Sequence, residues 1–178
     1  MLDCQLSFLG MLVSGLIFRS EAMFFKSDKI VDRIKNKDRD LEEELLKELT
    51  FLNESERFAF INELITSTDS LVRRFGLSLM QKLNWNNHNL LVFMKKGLLL
   101  KNPSEIKYWY MAIAPQLGAK PILNLIEQYI EEDSDVVQRA WYYLDIMIRS
   151  KFTNYVNQLE TIKNKFREKL DKEIWDVN

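Results

Sequence analysis

Four groups of residues carry side chains able to do chemistry: Cys4, His88, the carboxylate runs Glu42-Glu43-Glu44 and Glu131-Glu132-Asp133, and the aromatic box Tyr108-Trp109-Tyr110. A thiol nucleophile needs a base beside it. The one cysteine lies in the apolar run "QLSFLGMLVSGLIF" and reads as a small buried hydrophobe. The one histidine, in "NWNNHN", reads as a loop or capping residue rather than a base. No G-x-S-x-G, C-x-x-C, H-E-x-x-H or acidic calcium loop is present, and "GAKP" lacks the further glycines of a phosphate loop. General acid–base work needs two carboxyls whose surroundings push their pKa values apart. These carboxyls instead stand in charged runs at helix ends, as a solvated face does. The expectation is therefore no catalytic set, no metal and no cofactor.

The chain that must position these residues has 178 of them, enough for one domain burying about 70% of its unfolded surface. Only 5 Gly and 3 Pro occur, too few for the turns of an all-β fold. The net charge of −1 gives no global field for nucleic acid or a membrane. A lone cysteine builds no internal disulfide, so a reducing, cytoplasmic setting is the simplest expectation. The apolar run from Gln5 to Phe18 has only Asp3 among charges before it, unlike a secretory leader, and is shorter than the about 20 residues of a membrane span. It is expected to form a packed N-terminal helix or hairpin. A signal-like or membrane-attached segment, or a start at Met23, are the alternatives for residues 1–22.

Apolar residues recur at helical spacing throughout, separated by "KNKDRD", "TSTDS", "NWNNHN", "KNPS" and "EEDSD". Asn53 or Ser55 caps one helix, Pro103 opens another and Gly118 ends it. In that helix Ile106, Trp109, Tyr110, Ile113 and Leu117 share a face. The aromatic box is thus mainly core, with Tyr108 and Met111 off the stripe. Phe152, Tyr155, Val156, Leu159, Ile162, Phe166, Leu170 and Ile174 predict a long amphipathic C-terminal helix.

Three segments, "VRRFGLSLMQKL", "IKYWYMAIAPQL" and "VQRAWYYLDIMI", repeat one pattern. They start at Val72, Ile106 and Val137, 34 and 31 residues apart, as in stacked helical hairpins. Aligned columns read Phe75/Trp109/Ala140 and Gly76/Tyr110/Trp141, so a small residue in one column faces a large one in the next. "IKYWYMAIAPQLG" resembles the second helix of HEAT-like (PBS-lyase-type) repeats, where V-R-Y-W-A-A-x-A-L-G-x-L-G is typical. "EEDSDVVQRAWYYL" and "STDSLVRRFGLSL" resemble the turn and opening of that helix in the flanking repeats. The resemblance covers about Ser55 to Ser150. Pro115 and the bulky Tyr110 depart from it.

The resemblance implies an all-α solenoid of stacked hairpins between an apolar N-terminal helix and a long C-terminal one. Within one compact domain the divisions are a helical cap over 1–52, repeats over 53–150 and a capping helix over 151–178. The concave face would carry Arg73, Arg74, Leu77 and Ser78, then Lys107, Tyr108, Met111 and Ala112, then Gln138, Arg139, Tyr142 and Tyr143. Tyr, Met and Arg are enriched at interfaces, although Tyr142 or Tyr143 packing on the last helix is the alternative. Glu131, Glu132, Asp133 and Asp135 would form an acidic edge. The functional expectation is a non-catalytic protein-binding module, most concretely a bacterial immunity protein neutralising a basic toxin domain. The second reading is a HEAT-like nucleic-acid-binding or glycosylase-like repair protein, for which Asp145 would join the basic and aromatic residues.

Overall fold

A computed structural model of the chain describes residues 29–100 and 102–176. The expected N-terminal apolar helix, with Cys4 and Met23, lies outside them. Every regular element among the described residues is helical. Helix α1 covers residues 29–35, followed by α2 (Leu41–Thr50), α3 (Glu54–Ile65), α4 (Ser70–Lys82), α5 (Asn87–Leu98), α6 (Pro103–Leu117), α7 (Ala119–Glu132), α8 (Ser134–Lys151) and α9 (Val156–Asp176). A 3-10 turn, Thr153–Tyr155, leads into α9. The chain divides into two compact units, one ending at Gly76 and the other beginning at Leu77.

In the first unit, the chain breaks are made of groups that satisfy orphan helix-end donors. Asn53 accepts from the Glu56 N–H at 3.0 Å while Glu56 accepts from the Asn53 N–H at 3.1 Å, a reciprocal capping box. Asp69 accepts from the Leu71 N–H at 2.8 Å, and the Arg73 guanidinium donates to the Ser67 carbonyl at 2.6 Å. Arg33 binds Asp38 at 2.6 Å and Glu44 at 2.7 Å, which lowers both carboxyl pKa values. That contribution is present at neutral pH and is lost as acid titrates through the lowered values. The core here is mainly aliphatic, with Ile34, Leu45, Ile61 and Val72 among its buried residues and Phe60 of α3 buried beside them. A Cβ at Gly76 would stand 2.7 Å from Leu64 Cβ, so glycine lets α4 lie close on α3.

In the second unit α5 packs on α6 and α7 on α8, while α6 also meets α8 and α5 also meets α7. Helix α9 closes against α7 and α8. Asn102 caps α6 with Pro103 in its first turn, and Gly118, at φ 80°, both ends α6 and opens α7 with a backbone that side-chain-bearing residues rarely adopt. The stretch over 83–86 is held to α6 by Gln116, which donates to the Leu83 carbonyl at 2.9 Å and accepts from the Trp85 N–H at 3.3 Å. Trp85 is itself buried, edge-on to Phe93 and donating to the Met80 carbonyl at 3.0 Å.

The centre of this unit is Trp109, 1% exposed, whose indole lies over Gly97 of α5. A Cβ at position 97 would come within 2.5 Å of the ring. Gly97→Ala is therefore expected to destabilise the protein by about 1–3 kcal/mol, the usual cost of overpacking, despite alanine's better helix propensity. Urea unfolding followed by Trp fluorescence measures this, and an unchanged or higher midpoint would show that α5 and α6 part without strain.

Candidate functional site

A groove of about 540 Å³ opens between α6 and α8. Its α6 wall is Lys107, Tyr110, Met111, Ala114 and Pro115, which fall on one side of the helix at spacings of three and four. The α8 wall is Tyr143, Ile146, Met147, Ser150 and Lys151, with Phe152, the residue that ends α8. Apolar and thioether groups dominate this lining, and its only ionised groups are the two lysines. Met111 is 54% and Ile146 47% exposed, well beyond what core residues show.

The residues singled out in the sequence divide sharply. Lys107, Met111 and Tyr143 are brought together in the groove. Tyr142, 66% exposed, stands outside the lining with its ring edge-on to Tyr143 at 5.0 Å. Tyr108 is outside the lining, with the Lys107 ammonium 4.8 Å above its ring. Arg139 is half-buried on α8 and is not part of the lining. Arg74 is exposed, and Arg73 serves the α3–α4 turn through its bonds to Ser67 and Thr68. Leu77 and Ala112, expected on an open face, are buried, because apolar stripes here are wider than the i, i+3, i+4 minimum. It is Trp141, rather than Tyr142 or Tyr143, that stacks on α9, 6.2 Å from Phe166 and tilted by 20°.

The acidic edge is exposed but substantially engaged. Asp133 caps α8, accepting from the Asp135 N–H at 3.2 Å, and Glu132 accepts from Gln128 at 2.6 Å. Glu131 pairs with Lys169 at 3.4 Å and Glu127 with Lys165, so α9 lays a basic side against α7. On α8 the Asp145 carboxylate is taken by Arg149 at 2.9 Å, and Arg149 also binds Glu160. His88 is exposed in the first turn of α5, whose cap is Asn86 instead.

Two residues of the groove wall, Pro115 and Tyr110, are the sequence's departures from the repeat pattern. Pro115 has no N–H, so the Met111 carbonyl four residues earlier lacks its helical donor. Tyr110 lines the groove yet is 2% exposed, and its buried hydroxyl has no hydrogen-bond partner among the described residues. Burial pushes its pKa up, so it stays a neutral donor across the physiological range. A donor without a partner is a cost rather than a support. Tyr110→Phe is expected to leave stability unchanged or raise it by up to about 1 kcal/mol. A lowered melting temperature would show that the hydroxyl is bonded, directly or through water.

No group of three or more metal-ligating side chains occurs among the described residues. No described helix is long and apolar enough to cross a membrane. The chain matches no protein-family model, no curated protein and no solved structure.

Proposed function

We propose that this chain is a non-catalytic, cytoplasmic protein-binding module, a HEAT-like solenoid whose α6–α8 face holds another protein. The observation that carries the reading is the open apolar groove with Met111 and Ile146 half in water at its rim and Tyr142 beside it. Exposed apolar side chains gathered around a cleft mark interaction surfaces, and methionine lines surfaces that adapt to a partner. The HEAT-like part rests on two observations in the second unit, consecutive hairpins α5–α6 and α7–α8, and like helices touching like, α6 with α8 and α5 with α7. A bacterial immunity protein neutralising a toxin domain is the concrete form of this role. With the acidic edge occupied by caps and lysines, the groove rather than that edge would make the central contact. The nucleic-acid reading has less behind it, since Arg73 serves a turn and Asp145 is held by Arg149.

The test is co-expression with the products of neighbouring genes, followed by size-exclusion chromatography and calorimetry. The expected result is a one-to-one complex that the double variant Met111→Glu, Ile146→Glu weakens at least 100-fold, about 2.7 kcal/mol. Both residues are surface-exposed, so the circular dichroism spectrum should not change. A complex indifferent to both substitutions would place the interface elsewhere, and the absence of any protein partner would remove the proposal.

A further inference from the structure

The groove also has a length and a charge pattern, and together they describe what fits it. Along α6 the wall runs from residue 107 to 115, and along α8 from 143 to 151. At 1.5 Å per residue each stretch is about 12 Å long, close to the about 10.5 Å between positions i and i+7 of a helix. A bound helix presenting aliphatic residues at i, i+3, i+4 and i+7 would fill such a cleft. It would also cover Met111 and Ile146, the two half-exposed apolar residues of the lining.

The ends of the lining decide the charge. Lys107 is its first residue on α6 and Lys151 its last on α8, and no carboxylate belongs to it. Asp145, beside Ile146 in sequence, is bound by Arg149, and Glu105, two residues before Lys107, is buried and outside the lining. We infer that the α6–α8 groove is built to receive one amphipathic α-helix of a partner protein, apolar on the buried face and carrying acidic residues at its flanks. This rests on the proposed binding role and adds the chemistry of the partner's contacting segment.

The test uses the full chain and two synthetic helix-forming peptides with the same leucine pattern, one flanked by glutamates and one by lysines. Calorimetry at low salt should show the glutamate peptide binding at least tenfold tighter, with the gap narrowing as salt is added. Methyl spectra should show Met111, Met147 and Ile146 shifting on titration. Lys107→Glu with Lys151→Glu should reverse the preference, and the wild-type comparison stands even if that variant misfolds. Equal affinities at the same methyls would overturn the acidic-helix inference while leaving the groove as a binding face. Saturable shifts with laurate and none with either peptide would overturn it in favour of an acyl ligand. If neither peptide moves those methyls, the inference is wrong whatever the natural partner's fate in the Met111, Ile146 test.

Discussion

Trp109→Ala should cost about 3–5 kcal/mol, the largest loss expected from any single substitution in the second unit. The indole is almost wholly buried, and it occupies space that Gly97 leaves open on α5, so its removal opens a cavity between two helix backbones. Collapse of that cavity is hindered, because Ile106 and Ile113 on the same helix are fully buried and fixed by their own contacts. The indole N–H has no partner among the described residues, so the loss is one of packing rather than hydrogen bonding. Trp109→Phe should recover most of the stability, and Trp141→Ala, which removes a half-buried ring stacked on Phe166, should cost clearly less. Urea midpoints of the three variants provide the check. A Trp109→Ala midpoint no lower than that of Trp141→Ala would mean that the aromatic box is not the keystone of the α5–α6 pair.

Pro115→Ala is expected to act in the opposite direction, raising stability by about 2 kcal/mol. Proline inside a helix removes a ladder bond and crowds the carbonyl four residues earlier, at a cost of about 3 kcal/mol in a helix centre. Pro115 stands two residues before the end of α6, where part of that cost is already relieved by fraying. Alanine would restore the bond to the Met111 carbonyl and remove a ring from the groove lining. The same substitution should therefore stabilise the protein and, because Pro115 lines the groove, weaken partner binding. Thermal melts and calorimetry on one preparation measure both. Lower stability would show that the pyrrolidine ring fills a necessary part of the groove wall.

The all-helical class and most helix boundaries were legible because they rest on local signals. Asn53, Pro103 and Gly118 stand where caps and breaks were expected, and the stripe from Ile106 to Leu117 is buried throughout. Trp109 and Tyr110 were readable as core for the same reason. Other features depend on what lies across from a residue, which spacing along one helix does not encode. Gly76 looked like volume compensation for Phe75, but it marks where α4 meets the backbone of α3. Gly97, in an apolar run, looked unremarkable until Trp109 appeared above it. The acidic edge was read without the lysines of α9, which are more than 30 residues away in the chain. Phe152 was assigned to the C-terminal stripe, whereas it ends α8 and closes the groove. Ile146, Met147 and Lys151 were passed over because a repeat alignment draws attention to the opening of each second helix, and the groove uses the end of α8.

A photo-crosslinking amino acid placed at position 146, with the same residue at exposed Lys120 on α7 as control, measures the central point directly in the native host. The account predicts one covalent adduct with a single partner protein from position 146, formed through a helical segment with acidic flanks, and none from position 120. Equal labelling at both positions, or no adduct at 146 while the partner still co-purifies, would contradict it.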